Sequence, residues 1–156
     1  MADAGNAKRK IVIAMDGSQI SEDALRWYVR SMRQDGDYVT VVYTPEFKNL
    51  THVSVIAADA SLVQKIVDDE KKNTEALMEK VTGLLKTLEV NGEAKQSIGE
   101  PGEQIIEVAN EVGANLIITG SRGLGTLRRT FLGSVSDYVV HHAHIPVLVY
   151  KPEHKH

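Results

Sequence analysis

The run Ile11-Val12-Ile13-Ala14-Met15 is apolar at every position and stops abruptly at Asp16-Gly17-Ser18. A strand with one wet face alternates apolar and polar residues, so an unbroken run rich in β-branched side chains has to be covered on both faces. Three other segments share that character. Tyr38-Val39-Thr40-Val41-Val42-Tyr43 halts at Thr44-Pro45, Asn115-Leu116-Ile117-Ile118-Thr119 halts at Gly120, and Pro146-Val147-Leu148-Val149-Tyr150 comes last. Ala94 to Ile98, ahead of Gly99, is a weaker fifth strand.

Helical patterns separate these strands. Ser21 to Met32 gathers Ala24, Leu25, Tyr28, Val29 and Met32 on one side, with Glu22 and Asp23 near the positive end of the helix dipole and Ser18 or Ser21 as its cap. Ala58 to Leu88 carries Leu62, Ile66, Leu77, Val81, Leu84, Leu85 and Leu88, but the polar stretch Asp68 to Glu75 leaves its continuity open. Glu103 to Val112 forms a third helix. A fourth begins near Ser134, runs through Val135, Tyr138 and Val139 towards His142, and ends before Pro146.

Strands alternating with helices imply an α/β fold: an open five-stranded parallel sheet with helices on both faces, joined by right-handed crossovers. In such sheets a ligand sits outside the carboxyl ends of the strands, where the winding direction reverses. The sequence does not itself set the strand order. In a 3-2-1-4-5 order the first and fourth strands flank the reversal, and they end in the two most polar glycine-bearing turns, Asp16-Gly17-Ser18 and Gly120-Ser121-Arg122-Gly123.

Composition narrows the function classes. A chain of 156 residues with 42% hydrophobic and 25% charged residues fits one globular domain. With 18 basic against 21 acidic residues and a net charge of -3, the chain lacks the electrostatic footprint of nucleic-acid or anionic-membrane binding. The absence of cysteine removes disulfides, thiolate metal sites and thiol nucleophiles. Ile11 to Met15 is too short for a signal segment or a membrane span, so a soluble, cytoplasmic protein is expected.

The strongest local signal follows the fourth strand: Gly120-Ser121-Arg122-Gly123, nine residues, then Gly133-Ser134-Val135-Ser136 opening a helix. Gly120 and Gly123 let the backbone turn sharply and approach a ligand closely. Gly133-Ser134 offers amides and hydroxyls at a helix N-terminus, and Arg122 adds charge, all of which suits a polyphosphate. The shape alone equally allows two turn glycines and an ordinary helix start. Walker A and dinucleotide fingerprints are missing, since Gly123-Leu124-Gly125 lacks both the third glycine and the immediate helix.

The spacing Gly120-x2-Gly123-x9-Gly133-Ser134 resembles the ATP-binding signature of the universal stress protein family. The resemblance extends over residues 10–151, through Lys10 to Ser18, Gly99 to Ile106, Ala114 to Gly120 and Ile145 to Val149, leaving 1–9 and 152–156 as flexible ends. It implies an adenine nucleotide alpha-hydrolase-like fold of order 3-2-1-4-5 that holds ATP, or AMP or ADP, with Mg2+. The backbone around Ala14, Met15 and Tyr43 would lie near the adenine, and Asp16 near the ribose or a metal-linked phosphate. Gly120, Ser121, Arg122 and Gly123 would surround the phosphates together with Gly133, Ser134, Val135 and Ser136. Tyr43 departs from the family, where a smaller aliphatic residue is usual.

The expected function is a nucleotide-dependent stress-response or signalling module that acts on an unnamed protein partner. Ile145 to Tyr150 is an apolar edge in the proposed order and a route to a homodimer, which the resemblance also implies. A slow ATPase or self-phosphorylating protein, with Asp16 and magnesium orienting the triphosphate and Ser134 or Ser136 as acceptor, is the enzymatic alternative. It lacks an evident base or an arginine finger besides Arg122. A dimeric scaffold without nucleotide is a third reading.

Other conspicuous residues have plainer explanations. In His141-His142-Ala143-His144, neighbouring helical positions point about 100° apart, which suits solvated helix-end side chains better than one metal ion. Arg128-Arg129 is assigned to solvent, and Trp27 and Tyr28 to the core or its margin. Leu50 to Ala58 is either a lid over the ligand or the start of a helix.

Overall fold

The structure is a computed structural model that describes residues 4–45, 59–121 and 132–152. After a 3-10 turn at Ala4–Asn6 the elements run β1 (Arg9–Met15), α1 (Gln19–Ser31), β2 (Asp37–Tyr43), α2 (Ala60–Thr87), β3 (Gly92–Gln96), α3 (Pro101–Val112), β4 (Leu116–Gly120), α4 (Ser134–His142) and β5 (Val147–Tyr150). All pairings are parallel and the sheet order is β3-β2-β1-β4-β5, the expected one. No helix among the described residues is long and apolar enough to cross a membrane. The apolar segment Leu50 to Ala58 and Arg128-Arg129 lie outside the described residues.

β1, β2 and β4 have the burial that their unbroken apolar pattern demands, whereas β5, at the sheet edge, is only partly buried along its whole length. Ile11, Ile13 and Met15 face one core with Val39, Val41 and Ile118, closed by Ala24, Leu25 and Tyr28 of α1 and Val81 and Leu85 of α2. Val12 and Ala14 face the other core with Val42 and Ile117, closed by Ile105, Val108 and Ala109 of α3 and Val139 of α4. Each fully buried Ile or Val contributes about 1.5–3 kcal/mol, so the centre of the sheet is a stiff platform for whatever stands on its rim.

Local chemistry sets the helix ends. Ser18 caps α1, its side chain accepting from the Ser21 amide at 3.3 Å. Pro101 opens α3, where its missing N–H costs nothing, and Gly113 ends it in a left-handed turn at φ 66°.

One expectation needs correction and one open question is answered. The weak strand lies at Gly92–Gln96 rather than at Ala94 to Ile98, and Ile98 is 69% exposed beyond it. Pairing with β2 decides that register: a Cβ on Gly92 would meet the Val39 carbonyl oxygen at 2.1 Å, so the chain passes there only as glycine. Secondly, α2 is one continuous helix of 28 residues through its polar middle. Its second half is held by Val81 and Leu85 in the core, whereas Asp68, Asp69, Lys71 and Lys72 sit in solvent, where charge does not interrupt a helix.

At the amino ends of the strands, Arg9 grips the buried Asp37 carboxylate through Nε at 2.7 Å and Nη2 at 2.6 Å. The Tyr28 hydroxyl donates to the same carboxylate at 2.6 Å and the Gln34 amide at 3.0 Å. Burial would raise the Asp37 carboxyl, but these four bonds outweigh it and hold the group below its ordinary value. This network clamps β1, α1 and β2 at the end of the sheet opposite the polar turns.

Candidate functional site

The turn after β1 is built around Asp16. Its Oδ1 accepts from the Ser18 amide at 2.9 Å, bending the chain into α1 and leaving Oδ2 without that duty. Gly17 sits at φ 84°, a conformation that requires glycine, with Leu77 of α2 beside it. Asp16 is therefore a turn residue and a half-exposed carboxylate on the rim at once.

Across the rim, β4 ends at Gly120 and Ser121. The Ser121 amide donates to the Tyr150 carbonyl of β5 at 2.8 Å, and its carbonyl accepts from the Gly133 amide at 2.6 Å. The chain thus leaves the sheet at Ser121 and is tied back to it at Gly133, the residue before α4. Gly133 has φ -60°, open to any residue, so backbone conformation does not account for glycine there. The first-turn amides of α4, on Ser134, Val135 and Ser136, have no carbonyl four residues back within the helix and sit at its positive end. Ser136 is buried and its hydroxyl donates to the Gly133 carbonyl at 2.9 Å, while Ser134 is exposed.

The position of α4 depends on α3. A Cβ on Gly102 would come within 2.6 Å of the Tyr138 ring, so glycine in the first turn of α3 allows the two helices to meet. Tyr138 in turn stacks on His142, ring centroids 4.0 Å apart. His141 and His142 are exposed at the end of α4, and no group of potential metal ligands occurs among the described residues.

Strand alternation sorts the sequence-derived residues by face. Ala14 and, two residues on, Asp16 belong to the side of α3 and α4, as do Thr119 and Ser121. Met15 points the other way, its sulfur accepting from the Ser21 hydroxyl at 3.0 Å, and Tyr43 continues Val41 on that same side, so both offer the rim their backbone. Gly120 is the last residue of β4, half-buried. Arg122 and Gly123 lie outside the described residues.

One residue of the rim was read in the sequence only as a strand stop. Thr44, directly after β2, is 6% exposed and its hydroxyl has no hydrogen-bond partner among the described residues. Leaving a buried hydroxyl unpaired costs about 1–3 kcal/mol. The Thr-Pro pair marks the end of a strand, but nothing in it signals an unsatisfied oxygen.

Comparison with known proteins places this arrangement. The sequence model described as the universal stress protein family matches residues 8–151. Universal stress protein MJ0531 of Methanocaldococcus jannaschii is 31% identical over 152 residues, covering 96% of this chain and 86% of that protein. Among solved structures, a universal stress protein family protein from Arabidopsis thaliana with AMP bound superposes with a TM-score of 0.66 at 19% identity, covering 93% of this chain and 92% of that one. The universal stress protein from Archaeoglobus fulgidus in complex with dAMP superposes with a TM-score of 0.64 at 22% identity, covering 90% and 96%.

Proposed function

This chain belongs to the universal stress protein family, and from that premise we propose that it is an ATP-binding module of stress response or signalling. The observation that carries the proposal is the bond from the Gly133 amide to the Ser121 carbonyl. It joins the end of β4 to the start of α4, so that both parts of the glycine motif meet at the carboxyl end of the sheet.

The residues present suit an adenine nucleotide. Amides of Ser134, Val135 and Ser136 at the positive end of α4 receive phosphate oxygens, with Gly120 to Gly123 completing the cradle. Asp16 supplies a carboxylate for the ribose or for a magnesium ion carried by the phosphates, and the backbone at Ala14, Met15 and Tyr43 borders the base. A bound magnesium ion would neutralise phosphate charge. AMP and dAMP in the two structural relatives support the nucleotide class; ATP and magnesium are the reading of the longer glycine motif.

Occupancy would alter what the protein presents to a partner in the cytoplasm. A homodimer through β5 fits the contrast between the two sheet edges. β3 presents Glu93, Lys95 and Gln96, which discourage pairing, whereas β5 is Val147-Leu148-Val149-Tyr150. As a phosphate acceptor Ser136 is poorly placed, being buried and engaged with Gly133, so self-phosphorylation would fall to Ser134.

The test is mass spectrometry of nucleotide released from freshly purified protein, then titration of stripped protein with ATP and magnesium. Near-stoichiometric ATP without turnover supports the module, and turnover that disappears in Asp16→Ala supports an enzyme. Protein that is isolated empty and fails to bind discards the nucleotide function.

A further inference from the structure

Thr44 occupies the rim beside the nucleotide site, with a buried oxygen that has no partner among the described residues. The pairing of β2 with β3 continues to the very end of β2, where the Ser97 amide donates to the Tyr43 carbonyl at 2.9 Å. Pro45 then keeps Thr44 extended, because proline excludes the helical region for the residue before it. Alternation therefore carries Thr44 to the same side as Val42, which packs with Ala14 and Val139 of α4. Asp16 and the start of α4 lie on that side as well.

We propose that the Thr44 hydroxyl hydrogen-bonds the nucleoside part of the bound nucleotide; this rests on the nucleotide reading above. The distances favour the nucleoside over the phosphates. β2 and β4 flank β1, and strands are about 4.8 Å apart, so Thr44 stands roughly 10 Å across the rim from β4 and the α4 amides that receive phosphate. A nucleotide with its phosphates at α4 and its sugar over the end of β1 brings its base to β2. A threonine hydroxyl both donates and accepts, so it can serve a ring nitrogen, an amino group or a sugar hydroxyl. Valine has the same shape without the unpaired oxygen, and a merely packed position would be better filled by it.

The experiment compares wild type with Thr44→Val and Thr44→Ser, measuring thermal melting of nucleotide-free protein and affinities for ATP and for AMP. The expected result is a Thr44→Val protein that melts at or above the wild-type temperature, yet binds ATP and AMP about tenfold more weakly by the same factor, with Thr44→Ser close to wild type. Melting below wild type would give the hydroxyl a structural partner and overturn the proposal. So would unchanged affinity, or a loss for ATP that shrinks for AMP, which would put the contact on the phosphates. Failure of wild type to bind either nucleotide would instead bring down the nucleotide reading, and the proposal with it.

Discussion

The Gly133 amide donates to the Ser121 carbonyl at 2.6 Å, so two residues twelve positions apart in sequence hold the end of a strand against the start of a helix. The bond uses the Gly133 N–H and leaves the next three amides of α4 facing the rim. Because Gly133 has an ordinary φ of -60°, valine there is compatible with the backbone, and on the nucleotide reading it adds bulk where the phosphates approach. We expect melting close to wild type and an affinity for ATP reduced by roughly 10- to 150-fold, the equivalent of one charge-assisted hydrogen bond. Isothermal titration checks it, and unchanged binding would remove the phosphate cradle from the site.

At the opposite end of the sheet, Asp37→Ala leaves the Arg9 guanidinium and the Tyr28 hydroxyl without their shared partner. Because Arg9 is 26% exposed and reaches water, the loss should fall at about 2–4 kcal/mol, below the upper range for a fully buried pair. Urea unfolding reads it directly.

The same cluster sets the pH limits of stability. The Asp37 carboxyl is held below its ordinary 3.8, so its contribution is complete above that pH and is lost as pH falls through the depressed value. Burial, followed by the bond to Asp37, raises the Tyr28 phenol above its ordinary 10.0, so its contribution is complete below 10 and is lost as pH rises beyond. Thermal melting from pH 2 to 11 should fall at both ends for wild type, and both limbs should flatten in Asp37→Ala.

Gly102 and Tyr138 couple α3 to α4, the helix whose N-terminus is proposed to receive phosphate. Gly102→Val pushes the Tyr138 ring and is expected to cost about 1–3 kcal/mol by overpacking. Since the displaced helix is α4, ATP affinity should fall too. Tyr138→Leu in the same chain should recover part of both losses, whereas no recovery would place the strain elsewhere.

The edge of β5 allows a clean test of association. The Pro146 and Tyr150 carbonyls accept from β4, so in a parallel ladder residues 146, 148 and 150 face β4 while Val149 turns its amide outward. Val149→Pro removes an outward donor and spares the ladder. Wild type should sediment at twice the 17.2 kDa chain and Val149→Pro at the monomer mass. A monomeric wild type would end the dimer reading.

The sequence by itself determined the elements whose evidence is local. Unbroken apolar runs identified β1, β2, β4 and β5, the first three because burial on both faces admits no alternation, and Asp16-Gly17-Ser18 and Gly133-Ser134 identified turn and helix start by residue chemistry. What joins residues distant along the chain was decided by tertiary structure. Gly92 is in a strand because it pairs with Val39 of β2, at a spacing with no room for a Cβ, and α2 runs unbroken because Val81 and Leu85 anchor it while its charges face water. The Arg9–Asp37–Tyr28 clamp, the Ser121–Gly133 tie and the Thr44 oxygen, unpaired among the described residues, have no period or motif to announce them. A hydrogen bond is satisfied or left open only by what the folded chain brings within about 3 Å of it, and that is a property of packing rather than of sequence order.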